Sequence, residues 1–271
     1  MKRYLIMLFA CLAVLFADAK SDASQNLGSV GTGISNVSII KGATKKQADE
    51  AYEKEDYQKA AQLYESLMAE KGVSSELYYN LGNCYYKLDN IAGAVLNYER
   101  AYMLDPGDAD IRANLALARG KTVDKVTPPS ELFFVTWARN VMNMTSVDSW
   151  AVIGICAFAL MICGILVYAF MSRILWRKVG FYSSLAMLFV VVIANVSAYN
   201  QQKSIDECSS AVVIAQSVTA KSSPSDSSTD LFLMHEGTKV EISDKTMRGW
   251  YEVVLEEGKV GWVPAESVEI I

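Results

Sequence analysis

Two long apolar runs dominate the pattern of hydrophobic and polar positions along the chain. Residues 150–171 and residues 179–199 contain no charged side chain. At a rise of about 1.5 Å per residue, helices of these lengths cross the roughly 30 Å hydrocarbon layer of a membrane. The pattern therefore predicts a transmembrane hairpin with separate water-facing domains before and after it. The alternative, two buried core helices, would need a larger surrounding fold than this chain contains.

The segment between the runs, residues 172–178, indicates the topology. It contains Arg173, Arg177 and Lys178 but no acidic residue. Short basic loops stay on the cytoplasmic side of a membrane. We therefore expect this loop in the cytoplasm, and the domains on both sides of the hairpin outside it.

The start of the chain is typical of a secretory signal peptide, residues 1–19. Two basic residues precede a short apolar run, and Ala17 and Ala19 form a cleavage site with small residues at both positions. A lipoprotein signal that ends at Cys11, or an uncleaved anchor, is the alternative. All three place the chain that follows outside the cytoplasm. Residues 20–42, rich in serine, glycine, asparagine and alanine, predict a flexible tether.

A period of 34 residues in small and aromatic positions runs through residues 43–125. It pairs Ala60 with Ala94 and Tyr64 with Tyr98. Small residues let two helices approach closely, and the aromatic residues fill the space between turns. The pattern predicts two helix–turn–helix repeats and a capping helix, which together are close to the minimum for a stable solenoid.

These repeats resemble tetratricopeptide proteins, and the resemblance implies a concave groove that binds an extended peptide. The matching groove positions are Asp49, Tyr52, Tyr79, Asn80, Asn83, Tyr86 and Asn114. Asparagine amides on one face can hydrogen-bond a peptide backbone. The alternative is that Asn80 and Asn114 satisfy neighbouring helix ends and that the tyrosines are packing residues.

Residues 130–146 form an apolar and aromatic approach to the first run, with Trp137 and Arg139 near its middle. This composition predicts an amphipathic helix that lies in the membrane interface. The alternative is an extension of the first transmembrane helix.

From residue 211 the pattern changes to short strands separated by turn signals. Five such strands over residues 211–271 predict a small β-barrel. The segments GWY around Trp250 and GKVGWVP around Trp262 resemble bacterial SH3 domains. The resemblance implies a module that binds cell wall or peptide, with Trp250, Tyr251 and Trp262 as its surface. The alternative is that both tryptophans are packing residues of the barrel.

Composition narrows the chemistry that the chain can perform. Its net charge of −5 gives no electrostatic footprint for nucleic acid. His235 is the single histidine and has no partners for a catalytic triad, so we expect it at a strand end or turn. Without recognisable metal, haem or flavin motifs, we expect no enzyme activity, cofactor or metal. Cys84 is expected to be a small buried residue, and a disulfide with Cys208 is the alternative.

The fold class predicted is a multidomain membrane protein: an α-solenoid, a two-helix transmembrane hairpin and a small all-β SH3-like barrel. This order resembles the BatE family of the aerotolerance operon of the Bacteroidetes. The resemblance implies an inner-membrane scaffold that faces the periplasm and acts with von Willebrand factor A-domain membrane proteins and a MoxR-type ATPase in oxygen tolerance or envelope stress. We expect a non-catalytic adaptor. A peptidoglycan sensor that acts through the SH3 domain and an accessory subunit of a membrane enzyme are the alternatives.

Overall fold

A computed structural model describes residues 40–125, 132–207 and 209–271. The predicted signal peptide (1–19), the alternative lipidation site at Cys11 and most of the predicted tether lie outside these ranges.

Five helices form an α-solenoid in the first half of the described chain. They are α1 (Lys45–Glu53), α2 (Tyr57–Lys71), α3 (Ser75–Lys87), α4 (Ile91–Leu104) and α5 (Ala109–Lys121). Each follows a residue whose side chain accepts a hydrogen bond from the first helical turn. These caps are Thr44, Asp56, Ser74, Asn90 and Asp108. The result is two helix pairs followed by a fifth, capping helix.

A glycine sets the separation of the second helix pair. A Cβ atom at Gly82 of α3 would lie 2.7 Å from the ring of Tyr98 of α4. Glycine therefore lets the buried Tyr98 ring lie directly against the backbone of α3. This contact explains why a small residue on one helix and an aromatic residue on the next both recur at the repeat period.

Three helices follow the solenoid: α6 (Phe133–Met142), α7 (Val147–Phe170) and α8 (Ile174–Glu207). The helix α6 lies within the predicted interfacial segment 130–146, and residues 130 and 131 fall outside the described ranges. The long helices α7 and α8 pack against each other as a hairpin.

Both long helices are apolar enough to cross a membrane. Their most apolar windows have mean hydropathies of 2.6 and 2.1, and only 22% and 11% of those windows are buried. A pair of core helices in a soluble domain would instead cover most of its apolar side chains. The exposure therefore favours the transmembrane interpretation of these two helices over the core-helix alternative.

The second long helix extends beyond the predicted span 179–199 at both ends. It begins at Ile174, so Arg177 and Lys178 lie in its first turns and not in a loop. Lysine and arginine are good helix formers, and no glycine or proline interrupts the chain before Gly180. At its other end the helix continues through polar residues to Glu207, about 12 Å past the apolar run at 1.5 Å per residue.

The last segment, which the sequence predicts as a barrel, is a seven-stranded antiparallel sheet with β3 and β7 at its edges. Its strands are β1 (Ser210–Val213), β2 (Ser217–Lys221), β3 (Asp230–His235), β4 (Lys239–Asp244), β5 (Trp250–Val254), β6 (Val260–Pro264) and β7 (Val268–Ile270). The strand order is β3-β2-β6-β5-β4-β1-β7. A 3-10 turn, Ala265–Ser267, precedes β7.

Two of these strands go beyond the five that the sequence predicts. The predicted first strand divides into β1 and β2, because the N–H groups of Ile214 and Ala215 both donate to the carbonyl of Ser267 and turn the chain. The final residues form the second extra strand, β7, which pairs with β1.

The solenoid and the barrel are packed into one body. Besides a core of its own in each, a shared apolar cluster lies between them. Val212 of β1 and Ile271, which follows β7, pack there against Val95 and Leu96 of α4. The barrel therefore lies against α4, the second helix of the second pair.

Candidate binding surfaces

The first candidate surface is a groove on the solenoid. Four predicted residues line one cavity of about 180 Å³, together with Lys87, Tyr98 and Leu117. The four are Tyr52, Asn83, Tyr86 and Asn114. No barrel residue lines this cavity in the described part of the chain, so the groove stays open after the two domains have packed together.

A hydrogen-bond network orders the floor of this groove. The Asn114 amide nitrogen donates to the Tyr79 hydroxyl at 2.9 Å and to Asn83 Oδ1 at 3.0 Å. The Tyr98 hydroxyl donates to the same Asn83 oxygen at 2.7 Å. Burial raises the pKa of Tyr98, so its hydroxyl remains protonated and keeps this donor role.

The same network leaves one donor and one acceptor open. Asn83 Nδ2 and Asn114 Oδ1 have no hydrogen-bond partner within the described ranges. A peptide unit offers one C=O acceptor and one N–H donor, which is the complement of this pair. The groove is therefore suited to an extended backbone.

The other three predicted groove residues are placed differently. The Asp49 carboxylate accepts hydrogen bonds from the Tyr64 hydroxyl at 2.5 Å and from Lys45 Nζ at 3.0 Å. Tyr79 packs against the solenoid core and the shared apolar cluster, and its hydroxyl accepts the hydrogen bond from Asn114. Asn80 is half-buried on α3 and is not among the residues that line the cavity.

Sequence reasoning missed an apolar and cationic rim on this groove. Leu117 is 59% exposed, and Lys121 Nζ lies 4.2 Å from the centroid of the Tyr86 ring. Leu117 lies three residues after Asn114, and this spacing places two helical residues on the same face. The position of Leu117 on the rim could therefore have been predicted from the sequence. The rim is suited to a peptide that has an apolar side chain near a negative charge.

The second candidate surface is the outer face of the barrel. Trp250 is paired with Pro264, and Trp262 is paired with Glu252, so both half-exposed tryptophans lie on one side of the sheet. Tyr251 lies on the opposite side and packs against the barrel core. Tyr251 therefore does not belong to the outer face that the two tryptophans share.

The strand β3 extends this outer face with apolar residues. Leu231 and Leu233 are 50% and 53% exposed. Leu233 is paired with Thr219 of β2, and β2 is paired with β6 through Lys221 and Trp262. The exposed leucines and tryptophans thus lie on one sheet, with β2 between β3 and β6.

Comparison with protein families finds one match within each domain. Residues 75–108 match the tetratricopeptide repeat, and residues 217–269 match the bacterial SH3 domain. The first match covers α3 and α4, and the second covers most of the barrel. No curated protein matches the chain. Both domains are protein-interaction modules, and bacterial SH3 domains can bind peptidoglycan.

The interface between the tetratricopeptide and SH3 domains contains a buried carboxylate. The side chain of Glu99 on α4 is fully buried. It accepts hydrogen bonds from the Arg119 guanidinium of α5 and, at 2.9 Å, from Lys239 Nζ of β4. One carboxylate therefore joins a cation of its own domain to a cation of the SH3 domain.

Two further contacts tie the same domains together. Arg100 donates to Glu269 Oε1 at 2.9 Å and to the carbonyl of Ile270 at 2.6 Å. Asp124 accepts from the His235 backbone N–H at 2.7 Å, from His235 Nδ1 at 2.9 Å and from the Thr238 hydroxyl at 2.7 Å. His235 ends β3, as expected, and also binds the tetratricopeptide domain.

Cys84 has the structural role that the sequence favoured. It is buried in the solenoid core as a free thiol. Burial raises its pKa to about 12, which keeps the thiol protonated and unreactive. The alternative partner, Cys208, lies outside the described residues.

Proposed function

We propose that this protein is a non-catalytic scaffold anchored in the bacterial inner membrane, with both binding domains in the periplasm. The observation that carries the proposal is the buried Glu99, which joins the tetratricopeptide and SH3 domains into one body. Both candidate ligand surfaces remain open on that body. The chain thus holds two binding sites in a fixed relation at one end of a hydrophobic hairpin.

The charge and aromatic pattern of the hairpin supports this topology. Arg173, Arg177 and Lys178 lie at its turn, which favours a cytoplasmic location for the turn. At the opposite end, Phe133 and Trp137 of α6 are 84% and 68% exposed. Exposed aromatic side chains on a short amphipathic helix are suited to the membrane interface.

The partner in the tetratricopeptide groove is proposed to be an extended segment of another membrane or periplasmic protein. Asn83 and Asn114 would bind its backbone, and Leu117 and Lys121 its side chains. A second ligand on the SH3 domain would add to the affinity, because two sites on one anchored body raise the effective concentration of each ligand. The resemblance to the BatE family extends this proposal to von Willebrand factor A-domain partners and to oxygen tolerance or envelope stress.

In-cell cross-linking followed by membrane pull-down tests the groove. Leu117→Glu places a charge on the exposed groove wall without disturbing the core. Leu88→Glu is the matched control, because Leu88 is also exposed but does not line the groove. We expect specific partners with the native chain and with Leu88→Glu, and their loss with Leu117→Glu. Partners that persist in Leu117→Glu would exclude the groove as their binding site.

A second candidate function is binding to peptidoglycan through the SH3 domain. It is favoured by the half-exposed Trp250 and Trp262 on one outer face. Sedimentation of the detergent-solubilised full chain with purified cell wall tests it. We expect Trp262→Ala to reduce wall binding and Leu117→Glu to leave it unchanged. Equal sedimentation of the native and Trp262→Ala chains would exclude this face.

A further inference from the structure

The turn of the hairpin carries a groove that is separate from both candidate binding surfaces. This turn groove, of about 370 Å³, lies where α7 ends and α8 begins. Its volume is in the range of small-molecule binding sites. One residue of α7, Tyr168, lines it together with five residues of α8: Ile174, Arg177, Lys178, Phe181 and Tyr182. Both helices therefore build the groove, which contains two cations and three aromatic rings.

The three rings form the apolar wall of the turn groove. The ring centroids of Tyr168 and Phe181 are 6.0 Å apart, and those of Phe181 and Tyr182 are 5.5 Å apart. The three residues are between 43% and 66% exposed. The rings therefore contact one another across the two helices and still offer apolar surface to an acyl chain.

The two cations of the groove, Arg177 and Lys178, are exposed and have no anion near them. The Arg177 guanidinium carbon lies 5.2 Å from the centroid of the Tyr168 ring, a contact that restrains the side chain without neutralising its charge. Residues 149–205 contain no acidic side chain. Asp148 lies in the first turn of α7, about 30 Å along the helix from Tyr168. The hairpin itself therefore supplies no partner for this positive charge.

The order of residues in the groove matches the order of chemical groups in a phospholipid. The rings lie within or beside the charge-free runs, and the basic residues lie beyond them at the turn. Aromatic side chains at the end of a span are typical of the membrane interface, and basic side chains beyond them are typical of the headgroup region. In the proposed topology this end of the hairpin faces the cytoplasm.

We propose that the turn groove binds one anionic phospholipid of the cytoplasmic leaflet, with its phosphate held by Arg177 and Lys178. The inference rests on the proposed membrane anchoring and orientation. A guanidinium can form two parallel hydrogen bonds to phosphate oxygens, and an ammonium adds a compact positive charge. The aromatic wall takes the upper part of an acyl chain. A headgroup with net negative charge is preferred, because a zwitterionic headgroup brings its own cation to a cationic site.

Such a lipid would contact both helices of the hairpin at once, through Tyr168 on α7 and the other lining residues on α8. A ligand that binds only the packed pair of helices stabilises that pair. The stability of the hairpin should therefore depend on anionic lipid. Phosphatidylglycerol should raise the Tm of the detergent-purified full chain more than phosphatidylcholine does.

Native mass spectrometry of the same preparation tests the lipid preference. The probes are phosphatidylglycerol and phosphatidylcholine with identical acyl chains. We expect one retained molecule of phosphatidylglycerol and at least about tenfold weaker retention of phosphatidylcholine. Equal retention of the two lipids would overturn the proposal. Glycerol phosphate at the same concentration should not displace the lipid, and complete displacement would show a site for free phosphate instead.

Two double variants with the same change of charge locate the binding. Arg177→Gln with Lys178→Gln removes both cations of the groove. Lys203→Gln with Arg248→Gln removes an exposed lysine and an exposed arginine that do not line it. Retention of phosphatidylglycerol should fall at least about tenfold in the first double variant and stay unchanged in the second. Equal retention in both would contradict the proposal.

Alkaline extraction of membranes separates this inference from the proposed anchoring. A chain that the treatment releases from the membrane contradicts the anchoring. A chain that stays in the membrane but shows no preference for phosphatidylglycerol in the mass spectrum contradicts the lipid site alone.

Discussion

The carboxylate of Asp124 accepts hydrogen bonds from both the backbone N–H and the ring Nδ1 of His235, at 2.7 and 2.9 Å. The two residues are 111 positions apart, with the whole hairpin between them in the sequence. Asp124 precedes the hairpin and His235 follows it. Their contact therefore holds together the two parts of the chain on either side of the proposed membrane hairpin. Interdomain contacts of this kind join the tetratricopeptide and SH3 domains into a single body.

This contact predicts a pH-dependent contribution to stability. Burial alone would raise the pKa of Asp124, but the hydrogen bonds from His235 and Thr238 hold it below its ordinary value. A lowered folded-state pKa means that the stabilisation is present above the unfolded-state value, about 3.9, and is lost as pH falls through the folded-state value. The Asp124 side chain is 24% exposed, so solvent screens part of its interaction with His235. We expect Asp124→Asn to lower the free energy of unfolding by about 1–2 kcal/mol at neutral pH.

Thermal unfolding of the full chain at neutral pH and near pH 3 measures this effect. Tm should fall in Asp124→Asn at neutral pH, by about 2–4 °C per kcal/mol for a domain pair of this size, and approach the native value at low pH. Asp226→Asn is a control outside the interface, because Asp226 is exposed in the β2–β3 loop. A Tm difference that is equal at both pH values would show that the Asp124 charge does not contribute.

The buried Glu99 predicts an order of stability among variants. Lys239→Met leaves Glu99 paired with Arg119, so the loss of stability should be moderate. Arg119→Met together with Lys239→Met leaves a fully buried carboxylate without a cation, and we expect a loss of about 3–5 kcal/mol. Denaturant unfolding of the full chain measures these losses.

Adding Glu99→Gln to the double variant provides the control. It removes the unpaired charge, so part of the lost free energy of unfolding should return. If Glu99→Gln destabilises the double variant further, the penalty does not arise from an uncompensated charge.

The elements that the sequence predicts well are those set by local periodicity. The two charge-free runs predict α7 and α8, and the spacing of Ala60 from Ala94 predicts the helix pairs. These signals are strong because one residue pattern repeats over many turns. The strands β1 and β7 are harder to predict, because a bond from Ile214 to Ser267 sets their boundaries.

The interface between the domains could not be predicted from the sequence. Glu99, Asp124 and Lys239 look like ordinary surface charges in the one-dimensional pattern, and only tertiary packing brings them together. The groove was partly predictable, because repeat position places Asn83 and Asn114 on one face. The bond that Asp49 makes with Tyr64 depends on how two helices pack, which a single sequence does not specify.

The proposed topology predicts which side of the membrane each segment faces. A protease site inserted in the β2–β3 loop, near Ser225, should be cut in spheroplasts with an intact inner membrane, because the SH3 domain is expected outside the cytoplasm. Lys178→Cys in a cysteine-free background should react with a membrane-impermeant thiol reagent only after the cells are opened. Labelling of Lys178→Cys in intact spheroplasts would contradict the proposed orientation of the hairpin.

Packing of the hairpin predicts a difference between two apolar substitutions on α8. A Cβ atom at Gly180 would lie 2.6 Å from the carbonyl oxygen of Gly164 on α7, so Gly180→Ile must push the helices apart. Ala186 is exposed on the same helix, and Ala186→Ile adds an apolar side chain where nothing opposes it. Both changes preserve the hydrophobicity needed for insertion. We expect Gly180→Ile to destabilise the hairpin by about 1–3 kcal/mol and Ala186→Ile to have little effect, as measured by thermal unfolding in detergent. Equal Tm values for the two variants would mean that α7 and α8 do not pack through these glycines.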